Sequence, residues 1–291
     1  MFSFTIPPSS QPRLVSEVLR QLNISLTLRR KLKKTEGAIF LNGHPISWET
    51  LIYSGDTLTV IWPSYCKIQP HPMPLNVCYE DDAFLVVDKP AGLLVHPTSG
   101  TNESTLANAV VHYLQDKALP SGFHPVHRLD RNTSGLLLIA KNPYCQHLLS
   151  VSSAKPILRD YLAVITGVPS PLSGIIDAPI GRLPGSIIER TVRTDGQTAI
   201  TYYETIESFS SASLVKLSLK TGRTHQLRVH LSHIGHPILG DDLYGGSKDL
   251  INRQALHAAS LQFTHPLTGE ALKIVSPLPL DINSLLELLM N

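Results

Sequence analysis

The chain has 291 residues, 42% of them hydrophobic and 16% charged, with a formal net charge of +2. That length predicts one main domain plus a small appended module, and the composition excludes a disordered or repetitive chain. No apolar run can span a bilayer, the start MFSFTIPPSSQPR lacks the features of a secretory signal, and three scattered cysteines (Cys66, Cys78, Cys145) argue against a disulfide framework or thiolate zinc site, so a cytoplasmic setting is expected.

Residues 1–64 carry seven Lys/Arg against four Asp/Glu, and the remaining 227 residues carry eighteen against nineteen. Leu14, Val15, Val18, Leu19 and Leu22 recur at helical spacing, and Ser25 or Thr27 can cap a second helix. That second helix bears Arg29, Arg30, Lys31, Lys33 and Lys34, a patch able to neutralise phosphates or simply a solvated face. A strand over 38–41, the turn pair Asn42-Gly43 and a strand over 57–62 follow. Pro63, Pro70, Pro72 and Pro74 then mark an extended linker, which places a small α/β module at 1–64, a linker at 65–75 and the main domain at 76–291.

Strands are predicted over 77–80, 84–88 and 93–95, then a helix through Leu106, Ala109, Val110, Tyr113 and Leu114. Asn142-Pro143 has the cap and first-position chemistry of another helix. Residues 161–165, 187–192, 199–206 and 214–219 are rich in β-branched, aromatic or alternating apolar positions. Because strands arrive in runs, the expected class is α+β, with a mixed, mostly antiparallel central sheet and peripheral helices.

Two segments gather polar groups beside apolar runs. In His127-Arg128-Leu129-Asp130-Arg131-Asn132-Thr133-Ser134-Gly135 a carboxylate sits on a loop ahead of an apolar strand. Taken alone, Asp130 would more often bond Thr133 or Ser134 in a turn. The second segment runs from Thr221 through Arg223, Thr224, His225, Leu227 and Arg228 to Asp241, with Thr224 as candidate cap and Gly235 as terminator of a helix. Arg223 would stand just ahead of that helix, where its planar, always charged fork matches Asp130 or a phosphate.

Together the segments resemble the signatures of the RluA-type pseudouridine synthases. The likeness includes residues 80–92, His96-Pro97, HRLDRNTSGLLLIAKN, Tyr161-Leu162-Ala163, residues 195–199, TGRTHQLRVHLSHIGHPILGDDLYG, Leu256-His257-Ala258 and His265-Pro266, covering about 75 to 285 in the family's order. More faintly, the N-terminal residues resemble a small RNA-binding module shared with a ribosomal small-subunit protein, although Arg13-Leu14-Val15 replaces its usual Arg-Leu-Asp.

The resemblance implies isomerisation of uridine to pseudouridine in structured RNA, ribosomal RNA before transfer RNA, on a nucleotide flipped from its stack. Asp130 would be the essential carboxylate, nucleophile at C1′ or base at C2′, with Arg223 as its ion-pair partner. Tyr161 would stack on the uracil and manage the C5 proton, Leu227 would form a wall, and Arg128 would fill the vacated stack. Arg159 stands where the family more often has lysine. No cofactor, metal, membrane or obligatory protein partner is expected, since the reaction transfers no electron or group. The rival class is an RNA-binding protein without catalysis, which predicts loss of the carboxylate, tyrosine or arginine. A metal-hydrolase reading of His225, His230, His233 and His236 lacks the i, i+4 pair of a helix site.

Overall fold

Short β-branched and apolar runs build the body of the chain in the computed structural model, which describes residues 2–8, 11–62, 66–97, 103–119, 122–151 and 157–291. Pro63 and the expected boundary residues 64 and 65 lie outside them. Helices α1 (Val15–Gln21) and α2 (Leu26–Lys34) form where the apolar spacing places them, and the Ser25 hydroxyl caps α2 by accepting from the Leu28 amide at 3.2 Å. They pack with a four-stranded sheet ordered Phe2–Thr5, Thr57–Val60, Ile39–Leu41, His44–Pro45. Asn42 and Gly43, at φ 50° and 84°, make the turn joining its last two strands, a conformation that suits Asn-Gly.

This N-terminal layer is docked. Tyr144, on helix α4 (Pro143–Val151), sits in the N-terminal core: its ring stacks on Trp62 at 5.3 Å and meets Phe2 and Phe4 edge-on, and its hydroxyl donates to the Leu22 carbonyl at 2.7 Å. Helix α3 (Leu106–Asp116) precedes α4 (Pro143–Val151), whose Asn142 carboxamide oxygen accepts from the Cys145 amide, so Asn142-Pro143 forms the expected cap. Residues 66–75 contain no helix or strand but lie against the main core through Cys66, Ile68 and Leu75.

The main sheet has ten strands among the described residues. Eight follow the order Ser173–Asp177, Ile200–Ser208, Ala212–Leu219, Leu158–Thr166, Leu256–Thr264, Ser134–Ala140, Phe84–Lys89, Asn76–Glu80. Ala271–Val275 and His124–Pro125 pair with strands inside that path. Every pairing is antiparallel except that of Ser134–Ala140 with Leu256–Thr264, so the sheet is mixed and mostly antiparallel, as the runs of strands in the sequence predict. The parallel contact requires glycine: Gly135 has φ +110°, and a Cβ there would lie 2.4 Å from the Ala258 carbonyl oxygen. Helices α5 (Gln226–His233) and α6 (Leu280–Met290) complete the fold, and α6, which buries Ile282 and Leu285, is additional to the sequence expectations.

Two expected strands differ. Residues 93–95 form no strand; the Leu94 and Val95 carbonyls instead accept from the Leu106 and Ala107 amides that open α3. Of 187–192, only Arg190–Val192 is a strand, because Ile187 and Ile188, 82% and 59% exposed, lie at the end of a two-stranded ribbon with no sheet face to cover them.

Candidate active site

Asp130 lies in a turn closed by the Thr133 amide donating to its backbone carbonyl at 3.2 Å, just before the wholly buried strand Ser134–Ala140. The hydroxyls that could have captured its carboxylate face elsewhere, since Thr133 accepts from Gln254 and Ser134 pairs with His257 Nδ1. A buried lysine braces the loop. Lys89 Nζ donates to the carbonyls of Pro90, Leu93 and Arg131 at 2.8, 3.0 and 3.0 Å, and burial pulls its pKa down to about 7 although Asp130 pushes it up.

The guanidinium facing Asp130 is Arg228, not Arg223. Arg228 Nη1 donates to Asp130 Oδ2 at 3.3 Å, while its Nε and Nη2 grip both oxygens of the buried Asp241 at 2.7 Å. Arg223 points away, donating to the Thr198 carbonyl at 3.0 Å and to Gln197 Oε1 at 3.2 Å. The backbone gives the reason. His225, rather than Thr224, is the N-cap of α5, and it takes a left-handed conformation (φ 57°, ψ 19°) that redirects the chain between the two arginines. Thr224 does not cap α5, which has no side-chain cap among the described residues; Gln226 Oε1 instead accepts from the Arg223 amide and the Thr221 hydroxyl at 2.9 Å and braces the approach to the helix.

Asp130 opens into a cleft of about 350 Å³ lined also by Arg128, Arg159, Tyr161, Arg223 and Leu227. Tyr161, on Leu158–Thr166, is only 4% exposed; burial pushes its pKa up, Arg159 opposes and Asp130 adds, so it remains a phenol at neutral pH. Beyond the 126–130 strip lies a second space of about 700 Å³, bounded by Leu94, His96, Ile188 and Leu243. Arg128, exposed, borders both. Arg223 also edges a third recess with Arg182 and Arg190. Sequence reasoning therefore brought Asp130, Tyr161, Arg128, Leu227 and Arg223 to one cleft, but gave no role to Arg228, His225, Asp241, Tyr244 or Lys89. All five stand within the quoted motifs; the pairings across the fold carried no local signal.

His225 completes the surroundings of Asp130, with Nδ1 2.8 Å from the Tyr244 hydroxyl and Nε2 3.9 Å from Asp130 Oδ2. Asp130 Oδ1 has no hydrogen-bond partner among the described residues. On α2, Arg30, Lys31, Lys33 and Lys34 are exposed and Arg29 is partly buried, its Nε donating to the Ile24 carbonyl; none of the five lines the cleft. The remaining histidines of the second segment are not gathered: His230 bonds Thr201 and Ala178, and His236 bonds Thr166. Among the described residues no group of three or more His, Cys, Asp or Glu is placed to hold a metal ion, and no helix is long and apolar enough to cross a membrane.

A mixed sheet carrying a carboxylate, a buried tyrosine and several arginines around one cleft has the makings of an RNA-modifying catalytic domain. The family model of the RNA pseudouridylate synthases matches residues 83–233, and the chain belongs to that family. It is 39% identical to the uncharacterized RNA pseudouridine synthase YjbO of Bacillus subtilis, over 94% of this chain and 98% of that protein. It is 37% identical to ribosomal large subunit pseudouridine synthase D of Xanthomonas campestris, over 98% and 91%. Among solved structures, human RNA pseudouridylate synthase domain containing 4 is similar with a TM-score of 0.59 and 27% identity, covering 74% of this chain and 93% of that one. The chain is an RNA pseudouridine synthase, an isomerase of uridine in RNA.

Proposed function

We propose that the chain acts on uridines of ribosomal RNA, with Asp130 as the essential carboxylate. The observation that carries this is the division of labour on Asp130: Oδ2 faces Arg228, and Oδ1 has no partner among the described residues of a cleft walled by Tyr161. Relatives named for the ribosomal large subunit support the choice of RNA.

The reaction breaks C1′–N1, turns the uracil and joins C5 to C1′; the proton leaving C5 is matched by one taken up at N1. Asp130 serves the sugar, as nucleophile at C1′ or base at C2′, and either role uses the unpartnered oxygen. Arg228 supplies the counter-charge first assigned to Arg223, which instead serves phosphate with Arg182 and Arg190. Tyr161 stacks on the uracil and handles the C5 proton, Leu227 walls the pocket, and Arg128 takes the place of the extruded base, whose removal costs ~a few kcal/mol. Residues 1–64 form an RNA-binding module with the α2 cations as its phosphate contacts, 65–75 link it, and 76–291 are catalytic. A cytoplasmic enzyme without cofactor fits this chemistry.

The test is chemical mapping of pseudouridine across cellular RNA in a strain lacking the protein, rescued by wild type or by Asp130→Asn. Sites restored by wild type alone establish both carboxylate and substrate. Restoration by Asp130→Asn refutes the assignment, and sites confined to transfer RNA refute the choice of RNA.

A further inference from the structure

His225 holds a left-handed backbone conformation uncommon outside glycine, and it does so one residue before α5, with its two ring nitrogens facing different neighbours. Its tautomer follows from the hydrogen bonds around it. The Arg190 amide donates to the Tyr244 hydroxyl oxygen at 3.0 Å, and among the described residues the phenol hydrogen has His225 Nδ1, at 2.8 Å, as its acceptor, an arrangement that also spares Asp130 Oδ2 from facing a ring lone pair. An accepting Nδ1 puts the ring hydrogen on Nε2, the nitrogen 3.9 Å from Asp130 Oδ2.

We propose that His225 and Tyr244 form a positioning pair for Asp130: the Nε2–H and Arg228 together pin Oδ2, so that Oδ1 alone meets the sugar. This rests on the reading of Asp130 given above. At 3.9 Å the contact is longer than a hydrogen bond, and it tightens into one when the ribose displaces water from the cleft.

The surroundings favour the neutral ring. Burial is the largest influence lowering the His225 pKa; Arg228 and Arg190 push the same way, while Asp130 and Asp241 oppose. Burial also raises the Tyr244 pKa, so it stays a donor. The Tyr244 ring meets the His225 ring edge-on at 5.7 Å and carries the Arg228 guanidinium 4.9 Å above it, so one aromatic side chain orients both groups that face Asp130.

The experiment incubates purified variants with total RNA from a strain lacking the protein and follows pseudouridine at the wild-type sites with time, alongside filter-binding affinity for the same RNA. His225→Ala should turn over about 100-fold more slowly with unchanged affinity and melting temperature. His225→Gln, whose amide N–H reaches the position of Nε2, should recover most of the rate. Tyr244→Phe, which keeps the ring on Arg228, should slow turnover too. Acid that protonates Nδ1 takes away the acceptor of the Tyr244 hydroxyl and so unfixes the ring; the wild-type rate should therefore fall at a pH below the ordinary histidine range, a step that His225→Gln should lack. A wild-type rate in His225→Ala overturns the proposal, as does an equal loss in Ala and Gln variants accompanied by weaker RNA binding or a lower melting temperature. Wild-type protein that forms no pseudouridine overturns the enzymatic reading itself, and with it this one; activity in Asp130→Asn removes the basis in Asp130.

Discussion

Arg228 grips Asp241 with two hydrogen bonds of 2.7 Å and reaches Asp130 with its remaining terminal nitrogen at 3.3 Å, so one guanidinium joins a buried carboxylate to the one that opens on the cleft. Removing that guanidinium strands Asp241, which is 1% exposed. Arg228→Met should destabilise the fold by about 3–5 kcal/mol, because an uncompensated charge is left inside. Arg223→Met should stay within about 0.5 kcal/mol of wild type, since its side chain is exposed and bonds only Gln197 and Thr198 among the described residues. Urea unfolding of the two variants decides the matter, and equal losses would refute the assignment of Arg228.

Both tryptophans, Trp48 and Trp62, lie in the N-terminal layer, so their fluorescence reports that layer while circular dichroism is dominated by the rest. Wild type should unfold in one coincident transition. Tyr144→Ala empties the aromatic cluster it forms with Trp62, Phe2 and Phe4, at a cost of about 3–5 kcal/mol, and the two signals should separate, fluorescence changing first. Coincident curves in the variant would show that the layers are coupled elsewhere.

Two histidines should make the fold acid-sensitive. Burial pulls His127 down to about 3, helped by Arg159, and His124 to about 4, helped by Lys31. Between those values and the unfolded value of about 6.5 the unfolded chain binds protons that the folded chain refuses, so stability is present above that window and lost as pH falls through it. Each contributes a slope of about 1.4 kcal/mol per pH unit. His127→Gln keeps an acceptor for the Leu138 amide, and should flatten the dependence of the urea midpoint between about pH 6.5 and about pH 4. An unchanged slope would remove His127 from the acid response.

Neutralising Arg29, Arg30, Lys31, Lys33 and Lys34 should weaken RNA binding and flatten its salt dependence, by roughly 0.7–0.9 in log–log slope for each phosphate no longer neutralised. Filter binding across a salt series measures it. An unaltered slope would take the patch out of the interface. The catalytic rate on saturating RNA should stay near wild type, because none of the five lines the cleft.

How far the fold is legible in the sequence follows from which interactions are local. The Asn142-Pro143 cap, the Asn42-Gly43 turn, the Ser25 cap and the strand periodicities depend on near neighbours in sequence, and the structure has them. Asp130 and Tyr161 meet in one cleft because each sits in a recognisable motif. The partner of Asp130 did not follow, because a single left-handed residue, His225, separates two arginines of the same motif, and histidine announces such a conformation far less than glycine does. Arg228 is further specified by Asp241, thirteen positions on and across a loop, a contact with no periodicity to betray it. Residues 93–95 look like a strand because apolar β-formers are also what lines the buried entry to a helix.

The docking of Tyr144 has a consequence for selection. A module on a slack tether would only raise the local concentration of RNA, and any RNA able to bind the basic patch would benefit. A module seated on α4 by a ring stack and a hydrogen bond to Leu22 holds α2 at a fixed offset from Asp130. Under the role proposed for that helix, the enzyme works as a calliper: it favours an RNA whose phosphate track and extrudable uridine are the right distance apart, whatever the bases between them.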